Sequence, residues 1–96
     1  MNYSVSLREH AEKHLTEAAL WYNSQQQGLG LRFLNSFERT IEIISINPYL
    51  FQQKFQETRM AILKRFPYAV LFIVDEEQVI VTAIWHLKTD PNRWTA

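Results

Sequence analysis

Arg59, Lys64, Arg65, His86, Lys88 and Arg93 interrupt the apolar pattern of the second half of the chain, and their side chains are the ones that could do chemistry. An arginine fork donates two hydrogen bonds at once to a phosphate or a carboxylate, which makes Arg59, Arg65 and Arg93 candidates for anion binding. An imidazole with a reference pKa of about 6.5 can accept or release a proton at neutral pH, so His86 could act as an acid or a base. Each has a plainer reading: solvated strand-end charge for the cations, and a hydrogen-bonded structural imidazole for His86. Trp94 joins the set because an indole buries much apolar surface. It is expected to fold the tail back and hold Lys88 and Arg93 near Arg59 and Arg65, completing one basic surface; the alternative is that it plugs the core.

Two other patterns suggest chemistry and do not sustain it. His10 and His14 stand at i and i+4, a metal-ligand spacing, but no further His or Cys lies near and the glutamate of a zinc-protease helix is misplaced. No metal is expected. Gly28-Leu29-Gly30 lacks the third glycine of a dinucleotide fingerprint and follows a helical pattern where a strand is required. It reads as a tight turn between helices, and no cofactor is expected.

The chain has no cysteine, which excludes disulfides and thiolate metal sites and points to a reducing compartment. No apolar run approaches the roughly 20 residues of a membrane span, and no leader is visible, so a soluble, untargeted, cytoplasmic protein without membrane partners is expected. Ten basic and ten acidic residues cancel, giving no global steering toward nucleic acid. The distribution is less even. Asp75, Glu76 and Glu77 cluster in one predicted turn, leaving Asp90 alone to offset the cations from Arg59 onward. A local positive patch on a neutral protein follows.

These residues must be positioned by a small scaffold. The 96 residues, 47% of them hydrophobic, are expected to form a single domain over 1–96 with one core. Apolar runs at 60–66, 68–74 and 79–85 predict a three-stranded antiparallel meander. On its first strand Arg59 and Arg65 would share a face and Lys64 the other, because strand side chains alternate. His86 would lie on the side of Ile80, Thr82 and Ile84. Residues 2–6 predict a short strand added to the meander. Ser6-Leu7-Arg8-Glu9 matches a capping box, which predicts a helix from about Leu7.

Ala11, Leu15, Ala18, Ala19 and Tyr22 form the apolar stripe of that helix, and Trp21 beside it is expected to pack. The helix should stop at Gly28 with a left-handed cap. A second helix over 30–46 carries Leu34, Phe37, Ile41 and Ile44 and ends at Asn47-Pro48. Residues 47–58 read as a loop pinned to the core by Tyr49, Phe51 and Phe55. The expected architecture is α+β in the order β-α-α-β-β-β, a small antiparallel sheet covered on one face by a two-helix hairpin.

Trp21-Tyr22, Gly28-Leu29-Gly30 with Arg32-Phe33-Leu34, Asn47-Pro48, Arg59 with Lys64-Arg65-Phe66-Pro67-Tyr68, and His86 with Asp90-Pro91-x-x-Trp94 together resemble the RelE/ParE toxin superfamily. The resemblance covers nearly the whole chain and implies a toxin of a bacterial type II toxin-antitoxin module. It implies a cognate antitoxin that binds directly through a helix or extended segment, and a higher-order complex of the two. Two targets follow from it. ParE-like members poison DNA gyrase, and in that reading Arg59, Arg65, His86, Lys88, Arg93 and Trp94 would bind the target. RelE-like members cut mRNA on the ribosome without a metal; Lys64 or His86 would then help remove the 2′-hydroxyl proton while Arg59 and Arg65 stabilise the charged phosphate. No tyrosine follows Tyr68, and Lys88-Thr89 stands where ParE-like relatives often carry arginines. That departure leaves a third reading, an inactive relative kept as an antitoxin-binding module. Neutral net charge favours a protein target over the dense phosphates of ribosomal RNA, and so the ParE-like reading.

Overall fold

The computed structural model describes residues 2–88, which form β1 (Ser4–Leu7), α1 (Glu9–Gln25), α2 (Leu29–Ile46), a 3-10 turn (Pro48–Leu50), β2 (Gln53–Phe55), β3 (Thr58–Ile62), β4 (Tyr68–Asp75) and β5 (Gln78–His86). One sheet runs in the order β1-β5-β4-β3-β2, and the helical hairpin packs on one face of it. This is the predicted α+β sandwich. The meander is antiparallel as expected, while β1 joins β5 in parallel with Ser4 opposite Gln78, so the sheet is mixed.

The hairpin closes because its contact face is small. Ala11 and Ala18 of α1 are buried, and Leu15, Ala19 and Tyr22 lie half-buried along the predicted stripe. Gly28 has φ +89°, the left-handed conformation a glycine adopts without strain, and its N–H donates to Asn23 Oδ1 at 2.9 Å. Gly30 serves a different purpose: a Cβ there would stand 2.5 Å from the Ala19 carbonyl oxygen and 3.0 Å from Asn23 Cβ. The nearer atom is backbone and cannot swing aside. Gly30→Ala should therefore push the helices apart and cost about 1–3 kcal/mol of stability in urea melts, more than any gain in helix propensity returns.

α1 starts at Glu9 and not near Leu7, and no side chain caps it. The capping box fails because Ser6 and Leu7 are committed to β1, paired with Ile80 and Val81, and Arg8 is still extended with its N–H donating to Val81 O at 3.0 Å. The sheet thus supplies the partner for the Arg8 N–H at the helix entry.

The first meander strand is shorter than its apolar run. β3 ends at Ile62, and Lys64 to Pro67 form a turn closed by Leu63 N–H to Tyr68 O at 2.9 Å and Tyr68 N–H to Phe66 O at 2.8 Å. Pro67 has no N–H for a ladder and disfavours helical geometry at Phe66. Arg65 turns the chain with φ +73°. Arg65 and Lys64 therefore leave the strand, and the alternation assigned to them with Arg59 does not hold. The loop 47–58 also contains structure that its lack of periodicity hid: β2 pairs with β3 through a tight connection in which Gln56 has φ +51°.

A bulge sets the facing of the last strand. Leu71 opposes Ala83 but Phe72 opposes Val81, so Thr82 is an extra residue, its hydroxyl donating to Leu71 O at 3.3 Å. Val79 and Val81 point into the core with Phe33, Phe37, Ile44, Val70 and Phe72, and beyond the bulge Ile84 joins them. His86, opposite Tyr68, thus lies on the helix side with Val79 and Val81, not with Ile80 and Thr82.

Candidate target-binding corner

The end of β3, the start of β4 and the end of β5 meet at one corner of the sheet. Lys64 and Arg65 stand exposed on the turn between β3 and β4, and Lys88 is exposed just past β5. The turn is fastened from two sides: Ser36 of α2 donates to Lys64 O at 2.7 Å, and Leu87 N–H donates to Pro67 O at 2.7 Å. Below the cations lies an aromatic floor. Phe33, fully buried, meets Tyr22, Phe66 and Tyr68 with ring centroids 5.3, 5.3 and 5.1 Å away. His86 stands edge-on to Tyr68 at 4.8 Å, and its Nδ1 accepts from Lys88 N–H at 3.1 Å. A neutral His86 is thereby held with its proton on Nε2. Burial pushes the Tyr22 and Tyr68 phenols above their ordinary range, Tyr68 further through its neighbour Tyr22, so both stay protonated at neutral pH.

The structure gathers Lys64, Arg65, His86 and Lys88 at this corner and leaves Arg59 elsewhere. Arg59 is at the opposite end of β3, where Nη1 donates to Phe51 O at 2.6 Å and the guanidinium lies 4.9 Å from the Tyr49 ring centroid. Tyr49 in turn meets Tyr3 at 6.2 Å, so Arg59 fastens the 3-10 turn and the β1 entry to β3. Arg93 and Trp94 lie outside the described residues, and with them the expected return of the tail. Trp21, expected to pack, is 56% exposed, touching Tyr22 edge-on at 5.1 Å. Of the residues expected to pin the loop, Phe51 does so against Phe72 at 5.9 Å, whereas Phe55 stacks on Trp85 at 6.0 Å.

Ser36, Tyr22 and Tyr68 were not singled out as site residues. Tyr68 had a signal in its place after Pro67 and beside the predicted strand. Ser36 had none, because its partner is a backbone carbonyl 28 positions away.

The histidine pair on α1 forms a separate feature. His10 and His14 rings lie 4.1 Å apart, edge to face, and His14 Nδ1 is buried with no hydrogen-bond partner among the described residues. Burial, with His10 and Lys13 adding repulsion, lowers the His14 pKa against smaller upward pulls from Glu17 and the Ile84 backbone. The unfolded chain therefore binds this proton more readily than the folded one, and stability should fall as pH drops through about 6.5 toward the lowered value. Urea midpoints between pH 7.5 and 5 should show this slope, and His14→Phe should flatten it relative to the parent.

Two helices on one face of a five-stranded sheet, with cations gathered over an aromatic corner, make a small two-layer α+β fold. Residues 5–91 match the family described as the ParE toxin of the type II toxin-antitoxin system parDE, and the chain belongs to that family. No curated protein matches it in sequence. Among solved structures, the chromosomal ParDE toxin-antitoxin system of P. aeruginosa superposes with a TM-score of 0.79 at 13% identity, over 90% of this chain and 97% of that one. The RelBE2 toxin-antitoxin complex of Mycobacterium tuberculosis gives 0.64 at 15% identity, over 90% and 99%. The archaeal RelE-RelB complex of Pyrococcus horikoshii OT3 gives 0.55 at 13%, over 94% and 100%. Likeness at such identities is likeness of fold.

Proposed function

We propose that this ParE-family toxin arrests growth by inhibiting DNA gyrase through binding, without catalysing a reaction, and that a cognate antitoxin neutralises it by direct contact. The observation that carries the reading is the division of labour at the corner. Its exposed groups, Lys64, Arg65 and Lys88, are cations suited to carboxylate or phosphate. Its proton-moving groups, Tyr22, Tyr68 and His86, are half-buried in ring packing, and His86 Nδ1 already accepts a hydrogen bond. Such a surface grips a partner more readily than it removes a 2′-hydroxyl proton.

Purified protein should inhibit supercoiling by gyrase or trap cleaved DNA, and induced expression should arrest growth. Arrest with gyrase untouched would remove the target assignment. A ribosome-dependent mRNA endonuclease is the second reading, supported by the gathering of Lys64, Arg65 and His86 at one end of the sheet. Cleavage of mRNA only when ribosomes are present would establish it. An inactive antitoxin-binding relative would leave growth unchanged while still binding its antitoxin.

A further inference from the structure

α1 carries two imidazoles outside the corner. His10 and His14 stand one helical turn apart and so project on the same side, with ring centroids already 4.1 Å apart. His10 is exposed and His14 half-buried, at the rim of the helix where it packs on β5. A tetrahedral ion held at about 2.0–2.1 Å by two imidazole nitrogens needs those nitrogens about 3.3 Å from each other. Rotation about the broad imidazole torsions reaches that spacing with the helix backbone in place.

The surroundings of His14 select which of its nitrogens is offered. Nδ1 is the buried one, with no hydrogen-bond partner among the described residues. The Ile84 backbone of β5 pulls the His14 pKa upward, as a carbonyl does when it faces an imidazole N–H. A proton kept on Nδ1 leaves the lone pair on Nε2, which is the nitrogen a metal then takes. An N–H aimed at a backbone carbonyl is also the usual support behind a metal-bound imidazole. The chain has three histidines and no cysteine, so His86 is the one other nitrogen ligand of this kind and no thiolate competes.

We infer that His10 and His14 chelate one divalent transition ion of the Zn2+, Ni2+ and Cu2+ class, between Nε2 of His14 and a ring nitrogen of His10. Ions of this class take imidazole, whereas Mg2+ and Ca2+ take oxygen. Two protein ligands do not make a resident four-coordinate centre, and no third His, Cys, Asp or Glu joins them among the described residues. They suffice for an exchangeable ion whose other positions hold water. The local charge suits it: Glu9, Glu12 and Glu17 are exposed within a turn of the pair, against Arg8 and Lys13. The ion would staple the first turns of α1 and uses no residue of the corner, so the inference stands apart from the toxin reading.

The test uses the full chain without an affinity tag, titrated at neutral pH with the chlorides of Ni2+, Cu2+ and Mg2+. One equivalent of Cu2+ should bind, Ni2+ more weakly and Mg2+ not at all. Ni2+ should raise the urea midpoint, because the unfolded chain does not hold the two imidazoles together. In isotope-labelled protein, a trace of paramagnetic Cu2+ should broaden the resonances of the first turns of α1 before those around His86. His10→Ala removes an exposed ligand and should weaken binding at least as much as loss of an outer partner does, about tenfold or more, and abolish the rise in midpoint. Parental core resonances show that this variant is folded. His86→Gln should leave ion binding unchanged. Binding that survives His10→Ala, broadening centred on His86, or an unmoved midpoint in millimolar Ni2+ overturns the inference.

Discussion

Phe33→Ala should lower unfolding free energy by about 3–5 kcal/mol, the usual cost of removing a buried phenyl group. Small domains hold about 5–15 kcal/mol in all, so the variant should be partly unfolded at growth temperature. Phe33 is fully buried and touches Tyr22, Phe66 and Tyr68. Its loss leaves a cavity between α1, α2 and the β3–β4 turn that edge-to-face rings cannot close by shifting slightly. Phe33→Leu fills most of that volume and should cost less than about 1.5 kcal/mol. Urea melts followed by far-ultraviolet dichroism give the stability, and near-ultraviolet dichroism reports the ring packing. A Phe33→Ala protein with parental midpoint and near-ultraviolet signal would show that the aromatic floor is not what holds the corner.

Arg65→Gly should separate binding from stability in opposite directions. Arg65 sits at φ +73°, where a residue with a Cβ is strained by about 1–2 kcal/mol. Glycine relieves that strain and gives back part of it as unfolded-chain entropy, a cost of about 0.4–1 kcal/mol, so the variant should be as stable as the parent or up to about 1.6 kcal/mol more stable. It also lacks the exposed guanidinium. If Arg65 binds the target as proposed, affinity should fall by about 1.5–3 kcal/mol, roughly 10- to 150-fold. Arg65→Ala keeps the strain and loses the same contact. A stable Arg65→Gly protein that arrests growth at the parental inducer level would remove Arg65 from the binding surface.

The helices were legible because their stripes are regular. Ala11, Ala18, Phe37 and Ile44 fall at helical spacing, and Asn47-Pro48 marks the end of α2, whereas α1 stops earlier than expected, at Gln25 with an extended cap at Gln26, and the left-handed Gly28 caps the start of α2 instead. Composition also made the three long strands visible. What sequence could not give were choices settled by distant backbone. Ser6-x-x-Glu9 satisfies the local rule for a cap, yet pairing with β5 takes Ser6 first. The 60–66 run is apolar enough for a strand throughout, but the chain must reverse before Pro67, and Lys64-Arg65 absorb the reversal.

Thr82 looks like any alternating strand residue, and only the ladder shows it to be supernumerary. That one insertion misassigned the facing of His86. The corner was therefore legible as a set of residue types and misread in its geometry: Lys64, Arg65, His86 and Lys88 come together, while Arg59 is spent on the Phe51 carbonyl and the Tyr49 ring.

The parallel pairing of β1 with β5 has a consequence in time. Ser4 waits for Gln78, about seventy residues later in synthesis, and a contact of that separation forms late because so much chain must be closed around it. At about 5–20 residues per second, the nascent chain spends several seconds with its helical hairpin complete and its sheet unmade. β4 meanwhile lacks its partner of longest register, and the Tyr68–His86 contact does not exist. The Tyr68–His86 contact, and with it the corner, is thus assembled only after β5 has emerged from the ribosome.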